Sequence, residues 1–201
     1  MKNIILLILT VSLCTVVMAQ DFNKSLASAK SAYTAGNLED ARFNLENALR
    51  EVDVAIGKEV MKVLPTSLGS LAYNSKDDNV SGMSSSFAGL YVHRTYGTAE
   101  DKNANIDIIS DSPMLAGINA LLAMPVMMNS GDNNQKVTKI QGYKTLLTKQ
   151  VDENNQTTGY DVQTPFGNSM LTLHYTGNIT EAEILKLANM IPIEKVIAIA
   201  Q

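Results

Sequence analysis

The residues best suited to chemistry in this sequence are two histidines, each placed in a predicted strand next to a tyrosine. If the strands of His93 and His174 paired, the imidazoles would approach each other and recruit a metal with Asp107 or Asp161. Neither histidine has a second histidine two or four residues away, so ordinary strand residues are the favoured interpretation. We predict no metal site and no cofactor.

Motifs for other catalytic chemistry are missing from the sequence. There is no Gly-x-Ser-x-Gly nucleophile motif, and the serines at 84–86 lie in a polar stretch rather than in a rigid turn. The sequence contains no Walker loop, dinucleotide fingerprint or calcium loop. The acidic pair Glu181 and Glu183 is explained by helix capping. We therefore predict that the protein is not an enzyme, and a hydrolase or metal-dependent enzyme is the disfavoured alternative.

Methionine is more frequent than usual, with ten residues in the chain. Thioethers adapt to hydrophobic ligands and also bind copper(I), but core packing is the favoured interpretation of such a cluster. Four of the methionines lie on or near a predicted helix at residues 114–128. If this helix has a ligand role, the candidate ligand-binding residues are Met114, Leu121, Met124, Met127 and Met128.

The first nineteen residues have the three parts of a signal peptide. Lys2 is followed by an apolar run at 4–13 and by small residues before a cleavage site after Ala19. The apolar run is too short to span a hydrocarbon core of about 30 Å. Cleavage also removes Cys14, the only cysteine. We predict a periplasmic or secreted protein without disulfides and without an integral membrane anchor.

The charge of the predicted mature chain argues against a nucleic-acid partner. Removal of Lys2 leaves 15 basic and 20 acidic residues, a net charge of −5. The basic residues form no cluster, whereas binding to phosphates needs a concentrated basic face.

Residues 20–65 are predicted to form an antiparallel helical hairpin. Apolar residues recur at helical spacing on both sides of a break at Gly36-Asn37, and the second run continues until Pro65. The hairpin resembles one tetratricopeptide unit in its small, aromatic and turn positions, which are Ala29, Tyr33, Gly36-Asn37-Leu38, Ala41, Leu45 and Ala48. The resemblance implies that a solitary unit packs on the rest of the chain or on another protein.

The remainder of the chain is predicted as a polar linker at residues 66–86 and an α+β sandwich domain at 87–201. The fold class is thus α+β, an N-terminal α-helical hairpin followed by an antiparallel-sheet domain with two covering helices. Strands are predicted at 87–96, 105–110, 136–141, 143–151, 160–164 and 169–175, with helices at 114–128 and 180–191. Successive antiparallel pairing is the simplest topology.

The glycine-aromatic strand start at Ile140-Gln-Gly-Tyr143 and the Thr-Glu-Ala-Glu helix within residues 178–189 resemble the second half of PsbP-like sandwiches and similar bacterial envelope domains. That resemblance implies a sandwich fold and a non-catalytic role, and it carries over no site residues. We therefore expect a non-enzymatic exported protein that acts as a protein-interaction or structural module in the bacterial envelope. Its expected partner is another envelope protein, and the oligomeric state stays open. The alternative is a carrier of a small hydrophobic ligand.

Overall fold

The computed structural model of the chain describes residues 21–82, 89–99, 102–123 and 134–200. Over these residues the protein is α+β, with a helical hairpin followed by an antiparallel sheet that carries helices on its faces, as the sequence predicts. The predicted signal peptide and residues Met124, Met127 and Met128 lie outside the described residues. Within the described ranges, no helix combines the length and apolar content needed to cross a membrane.

The hairpin forms where the sequence predicts it. Residues 21–34 form helix α1, and helix α2 spans the 26 residues Leu38–Val63. Between them, Gly36 has a φ of 77°, a left-handed conformation that glycine adopts without steric cost. The side chain of Asn37 caps α2 by accepting a backbone N–H of its first turn. Helix α2 ends before Pro65, because a residue that precedes proline is disfavoured in the helical conformation.

The segment predicted as a polar linker, residues 66–86, carries three short strands where the structure describes it. Strands β1 (Ser67–Leu68) and β2 (Leu71–Ala72) pair with each other, and β3 (Asn79–Ser81) is one of the two edge strands of the main sheet. Leu68 is completely buried in the core of the sheet domain. The described part of this segment is therefore integrated into the fold, which its polar composition did not indicate.

Seven of the described strands form one antiparallel sheet in the order β3-β4-β5-β9-β8-β7-β6. The sequence predicts pairing of successive strands, which holds from β6 to β9, but β9 also pairs with β5 along eight residues. Strand β5 therefore separates β4 from β9. The strands not yet given bounds are β4 (Tyr91–Ala99), β5 (Lys102–Ser110), β6 (Gln135–Ile140), β7 (Tyr143–Val151), β8 (Thr157–Phe166) and β9 (Ser169–Thr176).

One face of the sheet packs against the end of α2 and against two C-terminal helices, α4 (Glu181–Ala188) and α5 (Ile193–Ala200). Alternate side chains of the central strands, such as Ile106 and Leu173, are completely buried here. Helix α4 begins with the predicted capping box at Thr180. This face holds the larger of the two hydrophobic clusters found among the described residues.

The opposite face is covered only in part, by helix α3 (Leu115–Ala123). Ile118 and Leu122 of α3 pack with Leu146 and Met170 of the sheet in a second, small cluster. The rest of this face carries polar side chains that alternate with the buried ones along each strand. The sheet therefore has one largely apolar, buried face and one mixed face.

Arg94 joins the base of the hairpin to the sheet. It is a strand β4 residue with an exposed fraction of only 6%. Its Nη1 donates a hydrogen bond to the carbonyl oxygen of Leu64, at the end of α2, and its guanidinium carbon lies 4.7 Å from the ring centre of Tyr73. The hydroxyl of Tyr96 donates to the carbonyl oxygen of Pro65. Polar contacts thus fix the C-terminal end of α2 on β4.

Candidate functional site

The hairpin exposes an unusual amount of apolar surface. Seven of the ten large apolar side chains that are exposed in the described chain belong to α1 and α2. Six of them, exposed by 40% to 70%, form a surface that we call the apolar stripe. Its members are Leu26 and Tyr33 of α1 and Leu38, Leu45, Leu49 and Val52 of α2.

The spacing of the stripe residues places them along one side of each helix. Leu38, Leu45 and Val52 follow one another at intervals of seven residues, and Leu26 and Tyr33 of α1 have the same interval. Residues seven apart are almost aligned on an α-helix, because two turns take about 7.2 residues. The pattern is that of a helix seam that packs against another helix.

A groove of about 560 Å³ runs between the two helices on the side of the stripe. Leu26, Tyr33 and Leu45 line it, and the buried Ala29 and Ala41 also belong to its wall. Small residues at a helix contact let the helices approach closely, so the larger neighbours stand outward at the rim. The groove has the shape and the chemistry to receive apolar side chains.

The apolar stripe is continuous with the core of the sheet domain. Ile56, one helical turn after Val52, is half-buried and packs against the core cluster that contains Val60. The same helix therefore buries its apolar residues at its C-terminal end and exposes them at its N-terminal end. Tyr33 and Leu45, two positions of the tetratricopeptide-like pattern, are among the exposed residues.

The mixed face of the sheet carries the two histidines. His93 Nδ1 lies 2.7 Å from Asp107 Oδ1 on the neighbouring strand β5, and His174 Nδ1 is bonded to Asp161 on β8. Because β5 lies between their strands, the histidines are not neighbours, and each is directed to its own carboxylate. Among the residues that the structure describes, no three His, Asp or Glu side chains are placed to hold a metal ion.

Both carboxylates have further partners. Asp107 accepts from the hydroxyl of Tyr91 at 2.9 Å and from the amide of Asn105. Burial, and then the charge and hydrogen bond of Asp107, raise the pKa of Tyr91 to about 12, so that this hydroxyl stays protonated as a donor. Gln150 donates to Asp161 at 2.6 Å. These contacts fix the carboxylates that orient the histidines.

His174 lies between a carboxylate and a hydroxyl, which is the arrangement of a histidine that acts as a base. Its Nδ1 contacts Asp161, and its Nε2 lies 3.3 Å from the hydroxyl oxygen of Thr176. The hydrogen bond that His174 donates to Asp161 is the main cause that raises the pKa of His174 above 6.5, burial opposes it, and the charges of Asp161 and Asp107 add to it. Acyl transfer would also need donors for an oxyanion, and the nearby amide of Asn105 is already bonded to Asp107. We therefore assign no catalytic role to this group.

A smaller pocket of about 240 Å³ lies between the turn of the β1–β2 hairpin and helix α4. Its wall is largely apolar, with Leu68, Leu71 and Leu187 among its residues, and it also contains Lys102 and Lys186. Residues beside the turn come from the segment predicted as a linker, so sequence patterns gave no signal for this pocket.

The predicted ligand-binding residues lie away from this pocket where they are described. Met114, just before α3, is exposed, and Leu121 packs in the small cluster under α3. Met124, Met127 and Met128 are outside the described residues. The apolar stripe was not among the predicted sites, although its heptad spacing was visible in the sequence.

Comparison of the chain with protein-family models, curated proteins and solved structures returned no match. The tetratricopeptide-like and PsbP-like resemblances stay predictions.

Proposed function

We propose that the protein is a non-enzymatic interaction module of the bacterial envelope, and that its hairpin receives an α-helix of a protein partner. The observation that supports this proposal is the apolar stripe on α1 and α2. Monomeric soluble proteins rarely expose a continuous apolar surface of this kind unless it serves an interaction.

A helix is the occupant that the stripe fits. Apolar residues at intervals of three, four and seven on one helix pack into the groove between two others, as in a helical bundle. The exposed seam on α2 runs from Leu38 to Val52, fifteen residues that correspond to about 21 Å at 1.5 Å per residue. A partner helix of about four turns would cover it.

Photo-crosslinking from single positions tests this function. A photoreactive amino acid at Leu49 lies on the stripe, whereas one at Phe43 lies on another side of α2 and is equally exposed. We expect position 49 to crosslink to a helical segment with heptad-spaced apolar residues, identified by mass spectrometry, and position 43 to give none. Equal yields at both positions would contradict the proposal.

A second candidate function is the carrier of a small hydrophobic ligand, which the pocket beside α4 supports. The apolar wall is joined by two cationic residues, Lys102 and Lys186, and one anionic residue, Glu183, and this excess of positive charge suits a small molecule with an apolar body and an anionic group. Native mass spectrometry of the purified protein with added decanoate should show a one-to-one complex. Its weakening in Lys102→Ala but not in Lys149→Ala would favour the carrier, and the absence of any complex would remove it.

A further inference from the structure

We infer that the helix received by the apolar stripe is α2 of a second copy of this chain, so that two hairpins form an antiparallel bundle with a two-fold axis at Leu45. This inference rests on the function proposed above and adds the identity of the partner. It depends on the symmetry of the stripe, on its area and on the position of the sheet.

Three of the four stripe residues on α2 are symmetric about Leu45, and the fourth, Leu49, has the buried Ala41 as its mirror position. Leu38 and Val52 lie seven residues before and after Leu45. In an antiparallel pair centred on Leu45, Leu38 of one copy meets Val52 of the other, and Leu45 meets its own equivalent. A two-fold interface requires such self-complementarity, and an unrelated partner does not.

Charges near the axis do not oppose this arrangement. The residue at the axis itself is apolar, so no like charges are brought together there. Arg42, one turn before Leu45, is paired within its own helix with Glu46 at 2.9 Å. In the antiparallel pair, the aliphatic part of Arg42 lies beside Leu49 of the other copy, where long charged side chains commonly cover a helical seam.

The exposed area approaches that of a stable dimer. With about 200 Å² for a large side chain, the six stripe residues present on the order of 600 Å² of apolar surface. A standard interface buries about 800 Å² on each partner, of which the centre is apolar and the rim polar. Asn23 and Lys30, which also line the groove, supply polar surface beside the stripe.

The sheet does not obstruct the second copy. Gly57, Val60 and Leu64 bury against the sheet at the C-terminal end of α2, whereas the stripe lies at its N-terminal end. Antiparallel pairing places the two sheets at opposite ends of the bundle. The result is an elongated dimer with the hairpins at its centre.

Sedimentation equilibrium of the purified chain tests the inference, with Leu45→Glu and Phe43→Glu as a matched pair. We expect the wild type and Phe43→Glu to have twice the monomer mass, and Leu45→Glu to raise the dissociation constant at least about 100-fold, because two carboxylates then meet at the axis. Circular dichroism of Leu45→Glu establishes that the variant is folded. A folded, monomeric wild type would overturn the inference.

Cysteine crosslinking gives an independent readout that does not depend on a destabilising change. Only a residue at a two-fold axis lies next to its own equivalent, so Leu45→Cys should form a covalent dimer with a short bis-maleimide, whereas Phe43→Cys should not. A monomeric chain that still crosslinks from position 49 to a different protein would overturn the dimer and leave the proposed function standing. A monomer that binds phospholipid vesicles through Leu45, without protein crosslinks, would overturn both.

Discussion

The guanidinium of Arg94 binds both carboxylate oxygens of Asp78, with Nε 3.0 Å from Oδ1 and Nη2 2.6 Å from Oδ2. The pair is bidentate and largely buried, and Asp78 belongs to the loop that precedes edge strand β3. Arg94 of strand β4 thereby fixes the position of the loop before β3, although the polar composition of this loop predicts a linker.

Substitution of Asp78 should destabilise the fold strongly. Asp78→Asn leaves the buried guanidinium of Arg94 without its counter-charge, and breaking a buried pair in this way costs about 3 kcal/mol of unfolding free energy. Urea unfolding measures the loss. The matched control is Glu46→Gln, which breaks an exposed ion pair, because the side chain of its partner Arg42 is exposed by 83%. This variant should lose less than about 0.5 kcal/mol of unfolding free energy. Similar losses in both variants would contradict the structural role of Arg94.

Gly57 sets how closely α2 approaches the sheet. A Cβ at this position would lie 2.4 Å from Cγ1 of Val80 and 2.8 Å from Cδ1 of Leu90, so Gly57→Ala forces α2 away from strands β3 and β4. We expect a loss of about 1–2 kcal/mol, since overpacking outweighs the gain in helix propensity. Gly117→Ala in α3 meets nothing within 4 Å and should stabilise by about 0.5–1 kcal/mol. Thermal unfolding of the two variants should therefore shift in opposite directions.

The contribution of His174 to stability should fall as the pH rises. Its hydrogen bond to Asp161 raises the pKa in the folded chain above 6.5, so protonated His174 stabilises the fold fully below about pH 6.5 and loses this effect as the pH passes the folded pKa. His174→Asn should therefore destabilise more at about pH 5.5 than at about pH 8.5 in urea unfolding. A loss of unfolding free energy that is the same at both pH values would contradict the prediction.

The effect of Asp161 on His174 can also be measured directly. In NMR titration, Asp161→Asn should lower the pKa of His174.

The contribution of the capping box of α4 to the stability of the fold should be measurable with a single substitution. Thr180→Ala removes the hydroxyl that accepts from the backbone N–H of Glu183, and a lost N-cap of this type costs about 1 kcal/mol. The hydrogen bonds from Thr180 also lower the pKa of Glu183, so NMR titration of Glu183 should show a higher pKa in the variant. Thr66→Ala, an exposed loop change, serves as the control for unfolding. No loss in Thr180→Ala would mean that α4 needs no cap.

Local features of the fold could be predicted from the sequence, and long-range ones could not. The break at Gly36, the end of α2 before Pro65 and the capping box at Thr180 depend on neighbouring residues, and all three are confirmed. The pairing of β9 with β5 joins residues that are 59 to 73 positions apart, and strand patterns do not encode which strands become neighbours.

The apolar stripe and the histidine–carboxylate pairs also depend on long-range contacts, so the sequence predicts them only in part. Helical spacing predicts that Leu45 and Leu49 share one side of α2, but it does not say whether another part of the chain covers that side. The carboxylates that face His93 and His174 follow from strand register, which the sequence leaves open. The residues of both sites could therefore be named from the sequence, but the exposure of the stripe and the pairing of each histidine with its carboxylate required the tertiary structure.

The attachment of α2 also has a mechanical consequence. Its 26 residues make a rod about 39 Å long, held at one end by Arg94 and by the core around Val60. A pull on the free end would act with a long moment arm on strand β4, the second strand from one edge of the sheet. Tension applied at the hairpin would thus reach the sheet through the polar contacts of Arg94 and Tyr96 and through the core around Val60.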